Sequence, residues 1–259
     1  LDAVDFVKKY QLSDRSLNDL DYKIREAARS EVQNILYRRR QSDIRRRIEQ
    51  LRYAIRLNHN YVAEQLNREI YSVVYKERDE AIATAGRQPT LPLKEDYLRT
   101  FAGEYCKLLG TDRDQNACFA ELETLIQQAY QTELANLQQR ARQAAQGNDW
   151  ALINNYYNQA IVFANANPRY FNSYAASSLQ GEKQDALRRY SDNSQRSFVN
   201  FLRSDKLDQA ETALNDLQNM QRASGFNFLN TNDLLVDLHQ EYLRKIGNLR
   251  DQQRFQEGF

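Results

Sequence analysis

The two cysteines, Cys106 and Cys118, are the residues with the most specific chemistry in the chain. Cys106 lies shortly before Gly110, a candidate helix end, and Cys118 lies near the start of the next predicted helix. Two antiparallel helices joined at such a turn can bring these positions within the roughly 4.4–6.8 Å that a disulfide needs between Cα atoms. We therefore expect a disulfide, which is typical of an oxidising compartment. Two buried thiols that pack as small apolar residues are the alternative.

The same turn carries oxygen-bearing side chains at the spacing of a calcium loop. Four of them stand at positions 1, 3, 5 and 12 of an EF-hand-type loop: Asp112, Asp114, Asn116 and Glu123. Position 6 is Ala117, where the sharp turn of such a loop requires glycine. The other interpretation is that Asp112 or Asp114 caps the next helix. We favour the cap and expect no bound metal, with calcium as the alternative.

Arginines are concentrated between residues 38 and 56. The candidate anion-binding members of this arginine strip are Arg38, Arg45, Arg46 and Arg52. Positions 38, 45 and 52 recur every seven residues, so they share one side of a helix. Such a patch can bind phosphate groups of nucleic acid or acidic lipid, or an acidic protein. The alternative, which we favour, is a solvated helix face whose arginines pair with neighbouring carboxylates.

Aromatic residues cluster after residue 149. The candidates for contact with a protein partner are Trp150, Tyr156, Tyr157 and Phe163. Aromatic side chains with polar groups are common at interfaces, but they also fill gaps between packed helices. Full burial of these side chains within the chain itself would exclude their contact with a partner.

The two histidines, His59 and His239, complete no catalytic or metal-binding pattern. The sequence contains no nucleophile elbow, no HExxH motif and no phosphate-binding glycine loop. The Glu-x-x-His motif of di-iron bundles is also absent. We therefore expect a protein that is not an enzyme and holds no cofactor.

Glycine and proline make up about 4% of the 259 residues, against roughly 12% in average proteins. Such a chain lacks the frequent turns of all-β folds and the phosphate-binding glycines of Rossmann folds. The net charge is +1, which does not favour nucleic acid as a partner. No apolar stretch has the length of a transmembrane helix. The composition therefore predicts an all-α protein.

Apolar side chains recur every three or four residues along most of the chain, which predicts amphipathic helices. Residues 1–86 are predicted to form a long coiled-coil-like helical hairpin. Residues 87–93 contain two of the three prolines and are predicted to be a linker. Residues 94–259 are predicted to form stacked antiparallel hairpins, as in a solenoid or bundle. The helices predicted there are 94–109, 114–146, one from 150 to before Pro168, 182–203, 206–222 and 232–250.

Each predicted hairpin has a face too apolar to remain in water, so the hairpins are expected to stack and bury it. On the last helix this face consists of Leu235, Leu238, Tyr242, Ile246 and Leu249. Stacking leaves broad outer grooves, which suit protein partners better than small-molecule chemistry.

Two segments resemble the tetratricopeptide repeat family. The sequence GNDWALINNYYNQAIVFANANP, at 147–168, is similar to the second helix of that repeat in its YYNQAI core and closing proline. Ser204–Leu217 looks similar, with Leu207, Ala210 and Leu214 at repeat-like positions. The two copies are about 57 residues apart, whereas the repeat of the family has about 34. The resemblance implies stacked helical hairpins that bind peptides or proteins, and it identifies no binding residues.

These patterns together predict a non-enzymatic interaction or assembly module that binds a protein partner. The predicted disulfide favours a periplasmic or secreted location. Association of identical copies is an open alternative for the partner. The alternative function is a helical anion-binding protein that contacts nucleic acid or acidic lipid through the arginine strip.

Overall fold

The structure is a computed structural model that describes residues 60–257, together with eight helical positions between Asp19 and Asn34. Over residues 60–257 it contains α-helices, one short 3₁₀ turn and no strand, which confirms the all-α prediction for this part of the chain. The elements are α1 (Asn60–Gly86), α2 (Leu91–Tyr105), the 3₁₀ turn (Cys106–Leu108), α3 (Asp112–Gln146), α4 (Trp150–Ala166), α5 (Ser173–Arg203), α6 (Leu207–Ser224) and α7 (Thr231–Glu257).

The chain divides into two compact units, Leu1–Tyr130 and Gln131–Phe259, and the boundary falls within α3. The linker predicted over residues 87–93 lies inside the first unit. Pro92 sits in the first turn of α2, where the missing N–H of proline costs no hydrogen bond and its fixed φ suits a helix. This proline therefore starts a helix, and the turn between α1 and α2 is shorter than predicted.

In the first unit, side-chain contacts join α1 and α2 to the first part of α3, as far as Tyr130. Nη1 of Arg78 lies 2.7 Å from Oε2 of Glu121. The Tyr130 hydroxyl donates to the Glu95 carboxylate at 2.8 Å. Charged groups in partly exposed pairs add little stability, so their main effect is to fix the register of the three helices.

The helix end predicted at Gly110 needs a correction. Helix α2 ends earlier, at Tyr105, and the 3₁₀ turn follows it. Gly110 does not have a positive φ, unlike Gly225 at the end of α6. A Cβ atom at Gly110 would instead meet the Asn67 side chain at 3.3 Å. A larger residue at Gly110 would therefore have to displace the Asn67 side chain of α1, whereas the backbone there is not left-handed.

In the second unit each helix packs on the next: α4 on α5, α5 on α6, and α6 on α7. The turns are short because polar residues adopt special conformations in them. Asn148 and Asp205 have positive φ values of 54° and 55°, a region that Asn and Asp tolerate better than most residues. The largest fully buried side chains of this unit are Phe198, Ile153, Leu179, Leu187, Leu217 and Met220.

Helix α5 begins at Ser173, well before the predicted start at 182. Asn172 caps this end, because its side-chain oxygen accepts a hydrogen bond from the Ala175 N–H at 3.0 Å. The intervening residues are mostly small and polar, so they show no apolar period. The cap and the small side chains extend the helix beyond the segment that periodicity predicts.

Candidate functional site

Cys106 and Cys118 are paired, with Cα atoms 5.7 Å apart. Cys106 lies in the 3₁₀ turn after α2, and Cys118 lies in the second turn of α3. Both residues are essentially without solvent exposure, at 0% and 1%. The predicted pairing is therefore confirmed at disulfide distance, and it joins the end of α2 to the start of α3.

The calcium alternative is wrong, because the residues that would form its loop are helical. Asp112, Asn116 and the other two candidates all lie on α3, so they are spread over about 16 Å along the helix axis and do not converge on one point. Glu123 pairs with Arg99 at 3.0 Å. Among the described residues, no group of three or more His, Cys, Asp or Glu side chains could hold a metal ion.

The cap of α3 is also different from the predicted one. Thr111 precedes the helix, and its hydroxyl oxygen accepts a hydrogen bond from the Asp114 N–H at 3.1 Å. The same hydroxyl donates to the Asp114 carboxylate at 2.7 Å. Threonine therefore caps the helix, and Asp114 supports it from the first turn.

The predicted aromatic contact residues on α4 face the core of the second unit. Tyr157 is only 3% exposed and belongs to the core. Trp150, Tyr156 and Phe163 are half-buried and pack against the same core. Burial therefore removes Tyr157 from the candidates for partner contact. Contact of a partner with the remaining three aromatic residues stays a prediction.

The predicted arginine strip lies outside the residues that the structure describes. Its four members are Arg38, Arg45, Arg46 and Arg52. Anion binding by this strip therefore stays a prediction.

A groove of about 460 Å³ lies between α3 and α5 in the second unit. We call it the α3–α5 groove. Its α5 wall carries Glu182, Asp185, Arg189 and Asn193 at steps of three or four residues, so these side chains share one side of the helix. The groove has the size of many ligand-binding clefts, and its walls carry both signs of charge.

One part of the groove is lined by a polar cluster whose members bond to one another. Nη2 of Arg142 lies 3.2 Å from Oε2 of Glu182. The Tyr157 hydroxyl donates to the same oxygen at 3.4 Å. Burial raises the pKa of Tyr157, and the negative charge of Glu182 raises it further. Both charges in this part of the groove are therefore neutralised within the protein.

Tyr190 lines another part of the groove, and this residue is only 7% exposed. Burial is the main cause that raises the pKa of Tyr190, and the carboxylate of Asp149 adds a smaller effect in the same direction. Arg142 thus lies beside Glu182, and Asp149, which follows α3, lies near Tyr190. Residues of α3 and α5 thus form facing walls along the length of the groove.

The second half of α7 presents apolar side chains to solvent. Leu243, Ile246 and Leu249 are 69%, 60% and 55% exposed, and we call these three residues the α7 strip. The core face predicted for this helix is confirmed only in its first half, where Leu238 is 2% exposed. Tyr242, between the two halves, is half-buried. The prediction is wrong for Ile246 and Leu249, because they lie on the surface.

Lys183 is a buried lysine without a carboxylate partner among the described residues. The residue is 5% exposed, and its Nζ donates to the side-chain oxygen of Asn158 at 2.8 Å. The same nitrogen lies 5.5 Å from the ring centroid of Phe226. Burial lowers the pKa of Lys183. The charged amine is therefore held by one amide and one aromatic ring.

No protein-family model, curated protein or solved structure matches the chain. Among the helices of the described residues, none has the length and apolar character needed to cross a bilayer. Neither the α3–α5 groove nor Lys183 had been singled out from the sequence, since charged side chains on long helices are typical of solvated faces. The only available signal was the spacing of Glu182, Asp185 and Arg189 on one side of a helix.

Proposed function

We propose that the protein is a non-enzymatic interaction and assembly module that binds a protein partner through the α7 strip. The observation that carries this proposal is the exposure of Leu243, Ile246 and Leu249, each more than half exposed on neighbouring turns of one helix. Contiguous apolar surface of this kind marks interaction sites on soluble proteins. Covering it with a partner removes apolar area from water at about 25 cal/mol per Å².

The lengths of two helices explain why the end of the strip, Ile246 and Leu249, is uncovered. Helix α6 has 18 residues and α7 has 27, which correspond to about 27 Å and about 40 Å. Lys245 pairs at 3.1 Å with Asp205, which precedes α6, so Ile246 and Leu249 extend past the end of α6. Leu243 lies alongside α6, on the solvent side of α7. Leu243, Ile246 and Leu249 stand at i, i+3 and i+6, so they lie on successive turns along one side of α7, where an amphipathic helix presents anchors to the groove of a partner.

The paired cysteines support an oxidising, extracytoplasmic setting for this module. A disulfide persists in secreted and periplasmic proteins and is rare where thiols are kept reduced. Cys106 and Cys118 are both buried, so the bond is placed to stabilise the first unit. A partner outside the cytoplasm is the one to test first.

The experiment compares three proteins: the wild type, L243E/I246E, and the control V162E. Val162 is 66% exposed on α4, so V162E adds a carboxylate at an exposed apolar residue outside the strip. Each protein is tested by sedimentation and by quantitative capture from the native source. We expect the wild type and V162E to associate alike and L243E/I246E to lose the complex. Loss of one buried apolar anchor typically costs about 2 kcal/mol of binding.

Circular dichroism first establishes that the three proteins have equal helix content. Capture of the same proteins by all three variants would then refute the α7 strip as the interaction surface. A wild type that sediments as a dimer, beside a monomeric L243E/I246E, would identify the partner as a second copy of the chain.

A further inference from the structure

We propose that the α3–α5 groove binds an extended peptide segment that carries two oppositely charged side chains, two residues apart. This site is separate from the α7 strip and goes beyond the assembly function proposed above. It rests on the charges, the spacing and the amide groups along the groove.

Two opposite charges on the α5 wall have no charged partner within the described part of the chain. Asp185 and Arg189 are both exposed and both line the groove. They stand at i and i+4, a spacing at which helix side chains often pair. Within the described residues, however, neither forms an ion pair or a side-chain hydrogen bond. By contrast, Arg142 and Glu182, which line the same groove, form an ion pair at 3.2 Å.

The spacing of these two charges fits an extended chain. Four residues along α5 correspond to about 6 Å. In a strand, residues i and i+2 lie on the same face at about 6.6–6.8 Å. A peptide with a basic and an acidic side chain at i and i+2 therefore places one charge near Asp185 and the other near Arg189.

The size of the groove favours a strand over a helix as the occupant. From Glu182 to Asn193 the wall is about 16 Å long, which is room for about five extended residues. A helix with its side chains is about 10–12 Å across, which is too wide for a groove of about 460 Å³. An extended segment fills this length with a much narrower cross-section.

Amide side chains along the groove suit a peptide backbone. Gln146 and Asn148 lie on one wall, and Asn193 lies on the other. Each amide has both donors and an acceptor, so it can pair with the N–H and C=O groups that an extended peptide presents. The charges of Asp185 and Arg189 then select which peptide binds, because they set the order of its charged side chains.

The experiment titrates the full chain with capped seven-residue peptides by isothermal calorimetry. The peptides share one sequence except at two positions, which are Glu-x-Lys, Lys-x-Glu or the neutral Gln-x-Gln. We expect the wild type to bind one charge order about tenfold more tightly than the neutral peptide. The variant D185R/R189D keeps the net charge and is expected to prefer the opposite order.

A second variant keeps the proposal testable if the charge swap disturbs folding. D185N/R189Q removes both charges and is expected to bind all three peptides equally. Peptide binding without any order preference in the wild type would overturn the proposal, as would an unchanged preference in D185R/R189D. A free zwitterionic amino acid that binds as tightly as the peptides would also overturn it, since the groove would then be a small-molecule site.

The two proposals can be refuted independently of each other. L243E/I246E alters only the α7 strip, so it is expected to retain the peptide preference of the wild type. Conversely, D185R/R189D is expected to retain the complex formed through Leu243 and Ile246. Loss of both functions in either variant, with helix content unchanged, would contradict the assignment of two independent sites.

Discussion

Replacing both cysteines, in C106A/C118A, is expected to lower the free energy of unfolding of the first unit by about 3 kcal/mol. The bond joins residues separated by 12 positions. A cross-link that closes a loop of this size removes roughly 9–10 cal/mol/K from the unfolded chain, which is about 3 kcal/mol at 25 °C. The two sulfur atoms are also buried, so their deletion adds a packing loss to the loss of the cross-link.

The assay is urea unfolding of three samples: the oxidised wild type, the wild type reduced in denaturant, and C106A/C118A. The reduced wild type keeps both sulfur atoms and therefore separates the effect of the cross-link from that of packing. Circular dichroism follows all helices. Trp150 is the only tryptophan and lies in the second unit, so its fluorescence provides an internal control. We expect the circular dichroism midpoint to fall by about 1–2 M urea and the Trp150 midpoint to move less.

Two results would contradict this reasoning. A fully reduced wild-type sample that unfolds at the same urea concentration as the oxidised one would refute the loop-entropy estimate. An intact mass that does not rise by two hydrogens on reduction would show that Cys106 and Cys118 are not bonded in the purified protein.

Two further substitutions test the second unit. Lys183→Met is expected to raise the free energy of unfolding by about 1 kcal/mol, because one hydrogen bond and one ring replace only part of the lost hydration. Since burial lowers the pKa of Lys183, the unfolded chain binds more protons between that pKa and the ordinary value of 10.5. Through that window the free energy of unfolding of the wild type, relative to that of K183M, should rise with pH. Parallel plots of the two free energies against pH would refute this prediction. Asp149→Ala removes the hydrogen bond that Asp149 accepts from the Leu152 N–H and should cost about 1 kcal/mol by Trp150 fluorescence, whereas Asp192→Ala on exposed α5 surface should cost little.

Apolar periodicity predicted the helices well, because it depends only on residues that are close together in the sequence. The predicted helix 114–146 corresponds to Asp112–Gln146, because apolar residues recur on one face through Leu122, Ile126 and Leu137. The cysteine pairing was predictable for the same reason. Cys106 and Cys118 lie on either side of a single turn, so the spacing in sequence determines the spacing in the structure.

Non-local arrangements were not predictable from the same patterns. Periodicity shows that Ile246 and Leu249 lie on the apolar side of α7, but it does not show how far a neighbouring helix extends to cover them. The α3–α5 groove likewise depends on two helices that lie beside each other although α4 separates them in sequence. Whether charges such as Asp185 and Arg189 line a groove therefore depends on how the helices pack, which the periodicity of the sequence does not show.

The burial of the paired cysteines also constrains how the protein is made. An oxidant or a disulfide exchange enzyme must reach at least one of the two sulfur atoms, and in the folded chain Cys106 and Cys118 are both almost inaccessible. The bond must therefore form before α2 and the start of α3 close around it, or during a transient opening of them. Oxidation of this pair is therefore coupled to folding of the first unit, because the bond forms only from an unfolded or locally opened state of that unit.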